Sequence, residues 1–168
     1  MKYQMLQHSF PPVWDKDSQW LILGSFPSVK SREQGFFYGH PRNRFWKALS
    51  TIVECREPAT IEEKKALLLE NHIALWDVIQ SCRIQGSSDS SIRDVTPNDI
   101  SFLLEQSRIQ SIFCNGKTAE RLYKKYIYPI TGIPATVLPS TSPANAAWSL
   151  ERLVEEYRRL LGEKGAKW

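Results

Sequence analysis

Apolar residues fall along this chain in short unbroken runs, separated by stretches in which they recur every three or four positions. Four runs stand out: Trp20 to Leu23, Ile73 to Trp76, Ile109 to Cys114 and Ala135 to Leu138. Each is followed by turn or polar residues. Continuous runs of this length predict parallel strands covered on both faces, because a strand with one solvated face alternates instead. The stretches between them predict helices. Thr60 and Glu63 form a capping box ahead of IEEKKALLLEN. Thr96-Pro97 reads as an N-cap with proline at the first helical position, before a short helix through Leu104. A helix is also expected to begin near Arg44. Ala119, Leu122, Tyr123 and Tyr126 recur at helical spacing, as do Leu150, Leu153, Val154, Tyr157, Leu160 and Leu161. Strands alternating with helices predict an α/β fold, a three-layer sandwich with a central parallel sheet of about four strands flanked by helices.

The length of 168 residues suits one domain, 1–168, that buries its own core without a disulfide or metal staple. Hydrophobic residues at 42% and charged residues at 24% exclude a disordered chain. No apolar run approaches the ~20 residues of a membrane span. The opening MKYQMLQHSFPPVW lacks the apolar stretch of a secretory signal, so a cytoplasmic protein is expected. Cys55, Cys82 and Cys114 are scattered, with no C-x-x-C pair and no histidine at zinc spacing. They read as reduced, mostly buried thiols, and they are too few for a four-cysteine iron–sulfur site. Neither a metal nor a cofactor is implied.

The net charge of +4 is unevenly spread. Residues 1–50 carry 7 Lys/Arg against 3 Asp/Glu, residues 51–110 carry 6 against 10, and residues 111–168 carry 9 against 5. Two basic ends around an acidic middle suit either a basic face for a polyanion or ordinary surface scatter.

In a parallel sheet the ligand sits beyond the carboxyl ends of the strands, which directs attention to the residues after each run. The first is followed by Gly24-Ser25-Phe26-Pro27-Ser28. Glycine permits close backbone approach and proline stiffens the turn, although a tight turn alone would use the same residues. The loop lacks the Gly-Lys-Ser/Thr ending of a phosphate loop and the spaced glycines of a dinucleotide site. Phe36 to Trp46 then packs five aromatics, two arginines, His40 and Asn43 into eleven residues. Aromatics beside arginines suit base stacking and phosphate contact. Phe45 and Trp46 suit the buried face of a helix equally well.

The second strand is followed by Asp77, which fits a turn cap, and by a polar loop from Ser81 to Arg93. After the third come Asn115-Gly116-Lys117-Thr118, where Asn115 fits either an N-cap or a polar group facing a ligand. After the fourth, Pro139-Ser140-Thr141-Ser142-Pro143 is a rigid loop offering hydroxyl and N–H donors to phosphate. Ser142 also fits the cap of the last helix.

Taken together, LILGSFPS, GHPRNRFW and LPSTSPAN resemble the uracil-DNA glycosylase superfamily, over about Trp20 to Trp148. LILGSFPS is similar to its first motif, GHPRNRFW to a segment of its mismatch-specific branch, and LPSTSPAN to its second motif, which pinches the DNA backbone. Uracil-specific members place Asp, and mismatch-specific members Asn, where this chain has Phe26. The second motif has Ser140 in the region of the usual histidine. GSFPS, YGHPRNRFW, FCNG and LPSTSPAN together look most like the hypoxanthine-DNA (deoxyinosine) glycosylase branch.

The resemblance implies a DNA repair enzyme, expected to act as a monomer on damaged DNA, that flips a deaminated base and hydrolyses its N-glycosidic bond. It implies Asn115 as a catalytic residue, matching an asparagine that matters in that branch; Asp77, the only carboxylate expected at a strand's end, joins it as the group to sense the base or stabilise the cation. Gly24, Ser25, Phe26, Phe37, Tyr38, His40 and Asn43 would form the base pocket. Pro27, Ser28, Arg42, Lys117, Ser140, Thr141 and Ser142 would meet the DNA backbone. The competing expectations are a uracil/thymine mismatch glycosylase, a non-catalytic nucleic-acid-binding module, and an α/β enzyme acting on a free nucleotide.

Overall fold

The computed structural model describes residues 2–168. The chain opens with β1 (Gln4–Gln7), β2 (Trp20–Gly24), α1 (Val29–Gln34), α2 (Phe45–Ile52) and α3 (Ile61–Glu70). It continues through β3 (Ile73–Asp77), β4 (Ile79–Ile84), a 3-10 turn (Asp89–Ser91), β5 (Arg93–Pro97) and α4 (Ser101–Gln106). It ends with β6 (Ser111–Asn115), α5 (Lys117–Tyr126), the single turn α6 (Tyr128–Thr131), β7 (Ala135–Leu138) and α7 (Leu150–Glu163).

The four apolar runs pair as a parallel sheet in the order β3-β2-β6-β7. Successive side chains of a strand point to opposite faces, and both faces are covered. Trp20, Ile22, Ile73, Leu75, Phe113 and Leu138 pack into one core with Phe45, Leu49, Ile52, Leu153, Tyr157 and Leu161 of α2 and α7. Leu21, Leu23, Ala74, Ile112 and Cys114 pack into a second core with Leu103, Ala119, Leu122 and Tyr123 of α4 and α5. The three-layer reading of the pattern therefore holds.

A second sheet was not legible in the pattern. β1, β4 and β5 form a three-stranded antiparallel sheet in the order β1-β4-β5. It takes Ser81 to Ile84 and Arg93 from the stretch expected to be a polar loop. The register of β4 on β5 shifts twice, between Ile79 and Ser81 and between Ser81 and Arg83. Such irregularities break the period-two alternation that marks a strand. Its buried residues accordingly fall at Ile79, Cys82 and Ile84.

Two local expectations need correction. Thr96 and Pro97 close the edge strand β5 instead of opening a helix, as suits a residue with no N–H to give to a ladder. The helix starts later, at Ser101, whose N–H is accepted by Asp99 Oδ1 at 2.9 Å. The last helix is capped by Ser149, which accepts the Arg152 N–H, and not by Ser142. Thr60 does cap α3 by accepting the Glu63 N–H at 3.1 Å, while Glu63 turns its carboxylate to the Thr60 hydroxyl.

Candidate active site

The carboxyl ends of β2, β3, β6 and β7 open into a cavity of about 520 Å³, within the span of about 300–1,000 Å³ usual for small-ligand pockets. Its walls bring together the residues the sequence singled out on separate loops. Gly24, Ser25, Phe26, Pro27 and Ser28 line it after β2, Phe37, Tyr38, His40 and Asn43 before α2, and Asp77 after β3. Asn115 contributes from β6, and Ser140, Thr141 and Ser142 from the loop after β7. Arg42 and Lys117 are not among the lining residues; both are exposed at the surface.

Asp77 lies on the pocket floor. It is buried, and it caps no turn. The His8 Nε2–H donates to Asp77 Oδ2 at 2.7 Å, and the buried Asn98 amide donates to the Asp77 carbonyl at 2.9 Å. Oδ1 has no hydrogen-bond partner among the described residues. A Cβ at Gly24 would lie 2.4 Å from Oδ1 and 3.0 Å from the Tyr38 hydroxyl. Only a residue without a side chain leaves these two groups room to converge.

Tyr38 takes a positive φ of 53°, uncommon for a residue with a Cβ, and stacks on Phe45 at 4.3 Å. Its hydroxyl is buried with no hydrogen-bond partner among the described residues. Burial first, and the Asp77 charge second, hold the phenol well above its ordinary range, with the Asn115 side chain pulling weakly the other way. The group is therefore a proton-bearing donor in the pocket wall.

Asn115 ends β6 but does not cap α5. Gly116 takes that place with φ 96°, and any Cβ there would press on Ser140 Cβ at 3.2 Å. The Asn115 amide instead grips Thr141. Nδ2 donates to the Thr141 hydroxyl at 3.0 Å, and Oδ1 accepts the Thr141 N–H at 3.1 Å. One N–H and one lone pair of the amide stay free to face the pocket.

Thr141 is fully buried, so its side chain serves this clamp. Ser140 and Ser142 each accept a backbone N–H within the loop, from Ser142 and Ala144. Arg44 ties the loop to α2. Its guanidinium donates to the carbonyls of Ser142, Asn145 and Trp148, and its N–H to that of Thr141. Asn43 caps the same helix entry by accepting the Phe45 N–H at 3.0 Å. Ser28 caps α1 through the Ser31 N–H.

The pattern of the uracil DNA glycosylase superfamily matches residues 11–162. The chain belongs to that superfamily. A Methanosarcina acetivorans protein named hypoxanthine DNA glycosylase is 37% identical over 150 residues, 88% of this chain and 94% of that protein. A Methanosarcina barkeri protein of the same name is 33% identical over 143 residues, 84% of this chain and 89% of that one. The solution structure of a Methanosarcina acetivorans protein described as a uracil DNA glycosylase superposes with a TM-score of 0.76 at 33% identity, covering 94% of this chain and 99% of that one. The resemblance drawn from the motifs is thus borne out at the level of the superfamily and its fold.

Sequence reasoning missed one support and one wall of this superfamily member's pocket. His8 lies on an N-terminal segment that carries no motif, far in sequence from the Asp77 it binds. The serine-rich wall at Ser87 to Ser90 follows from the second sheet, where Asp89 accepts from the Ser25 hydroxyl at 3.4 Å. No sequence signal marks His8, which stands among the polar Gln4, Gln7 and Ser9. The cysteines are free, with Cys82 and Cys114 buried and Cys55 exposed. Burial pushes the Cys114 thiol up to about 12, far from a nucleophile's range. Among the described residues no group of three or more His, Cys, Asp or Glu could hold a metal ion, and no helix is long and apolar enough to cross a membrane.

Proposed function

We propose that this protein is a DNA repair glycosylase that extrudes hypoxanthine from DNA and hydrolyses its N-glycosidic bond. The observation that carries this reading is the pairing of Asp77 Oδ1, an unpartnered acceptor, with the Tyr38 hydroxyl, an unpartnered donor, above Gly24. Hypoxanthine offers a matching N1–H and C6 carbonyl. Adenine offers a lone pair at N1, which a carboxylate repels. A flipped base is read in this way, by hydrogen bonds to its pairing edge and by stacking. Phe26, at the rim of the same pocket, supplies an aromatic face. The names carried by the Methanosarcina relatives agree with this substrate.

The bond breaks through an oxocarbenium-like sugar, as in other glycoside hydrolyses. The buried Asp77 charge stabilises that cation, and the free N–H and lone pair of Asn115 orient the attacking water. Ser28, Ser140 and Ser142 at the rim, with Arg42 and Lys117 outside it, meet the phosphates. The protein acts as a monomer in the cytoplasm on this reading.

Uracil carries the same carbonyl and N–H edge, so the assay compares bases. Labelled duplexes containing hypoxanthine, uracil or xanthine are incubated with the protein and treated with alkali. Hypoxanthine sites are expected to be cleaved fastest. A mobility shift without any alkali-labile site would reduce the protein to a binding module, and preferred release of uracil would reassign the substrate.

A further inference from the structure

His8 lies upstream of residues 11–162, which carry the superfamily pattern. It follows β1, whose pairing with β4 (Leu6 opposite Cys82, Gln7 opposite Ser81) continues into a bond from the His8 N–H to the Gln80 carbonyl at 2.6 Å. This register delivers the imidazole to the carboxyl end of β3. Its side chain is only 3% exposed. The rings of Phe10, Phe37, Phe26 and Trp76 enclose it at centroid distances of 4.5, 6.0, 6.2 and 6.5 Å.

Packing does not account for a histidine in that cage. The Nδ1 atom is buried with no partner among the described residues, which proteins generally avoid. A phenylalanine would fill the same space with no orphan nitrogen. What the imidazole adds is one N–H, placed 2.7 Å from Asp77 Oδ2. The Asp77 side chain is 5% exposed, and His8 is its side-chain hydrogen-bond partner among the described residues.

We infer that His8 is a positioning residue for base release: by holding Oδ2 of Asp77 it keeps Oδ1 in the pocket beside the Tyr38 hydroxyl. The inference rests on the glycosylase reading above. A buried carboxylate without a donor is costly, so on losing Nε2–H it rotates toward the pocket water and the acceptor leaves its place. The aromatic cage remains, so the fold survives while the edge that meets the base is lost. A short N-terminal strand thus sets the geometry of a site whose other parts lie on the central sheet.

The test compares His8→Phe with His8→Gln, whose side-chain amide can still donate to Asp77. Single-turnover base release is measured on the base that wild type removes best from the hypoxanthine, uracil and xanthine panel, alongside duplex affinity and melting temperature. His8→Phe should slow release about 10- to 100-fold, the effect of misplacing a reacting or binding group by about 1 Å. Its affinity and melting temperature should stay near wild type, and His8→Gln should recover most of the rate.

A second arm places both substitutions in an Asp77→Ala background, which removes the acceptor of the His8 N–H. There they should change the rate by less than about two-fold, because residues acting through one partner are not additive. Full activity of His8→Phe would overturn the inference. So would equal losses in Phe and Gln that track melting temperature, or losses that add to that of Asp77→Ala. Where His8→Phe fails to fold, the comparison of His8→Gln with His8→Asn, too short to reach Oδ2, decides in the same way. Failure of the substrate reading appears separately, as a wild-type protein that releases another base or none.

Discussion

At the end of β6, Asn115 is half-buried and both ends of its amide are bonded to Thr141. At the end of β3, Asp77 is buried, with one oxygen on His8 and the other without a partner. The two residues occupy equivalent places on neighbouring sides of β2, yet they are held by different parts of the chain. Asn115 is satisfied by the loop after β7, close by in the sheet order. Asp77 depends on the second sheet and the N-terminal strand. A neutral amide at a pocket's edge can exchange a hydrogen bond with water in place, whereas a buried carboxylate must turn away from its position to find one. The floor of the pocket is therefore the more demanding half, and the rim the more adaptable.

Removing Asp77 should have the largest effect. Asp77→Ala takes away the acceptor and the buried charge and is expected to slow base release by about 10³-fold, at the upper end for loss of one preorganised group. Duplex affinity should barely move, since phosphate contacts supply most of it. Single-turnover rates with a parallel binding titration measure both. Wild-type rates in this variant would move the chemistry to the β6 side.

Asn115→Ala comes next, with an expected loss of about 10²-fold in base release. It also leaves the Thr141 N–H without its acceptor, so a stability loss of about 1–2 kcal/mol should accompany it. The sequence alone suggests little change in folding here; the clamp on Thr141 is the reason to expect one. A variant that is destabilised yet fully active would reduce Asn115 to a loop fastener.

Smaller effects belong to the outside of the pocket. Arg42→Ala and Lys117→Ala should each weaken duplex binding by about 3- to 10-fold at every sequence and lower the salt slope by about one. Titration at several salt concentrations tests this, and an affinity indifferent to salt would remove the basic rim from the account.

The last expectation concerns pH. Burial raises Tyr38 and Tyr157 above the ordinary tyrosine value near about pH 10. The folded state therefore holds these protons more tightly than the unfolded chain. Their contribution to stability is complete below about pH 10 and is lost progressively as pH rises toward the folded values. Denaturant midpoints should be flat for these groups up to that point and fall above it, and less steeply in Tyr38→Phe.

The sequence by itself determined the central sheet, its helices and most of the pocket. Each parallel strand is buried on both faces, so it is written as an unbroken apolar run, and the loop after it must carry whatever meets a ligand. Gly24, Asp77 and Asn115 were legible on that basis, and Tyr38 from the aromatic cluster ahead of α2. Roles were less so, because Asn115 after a strand and before a helix reads equally well as a cap until Thr141 is seen within reach of both ends of its amide. The antiparallel sheet escaped notice because register shifts on β4 scatter its buried positions at Ile79, Cys82 and Ile84, and because Pro97 ends a strand as plausibly as it opens a helix. His8 could be found only in three dimensions. Its bond to Asp77 spans 69 positions, and no periodicity encodes a partnership that exists only once β1 has paired with β4.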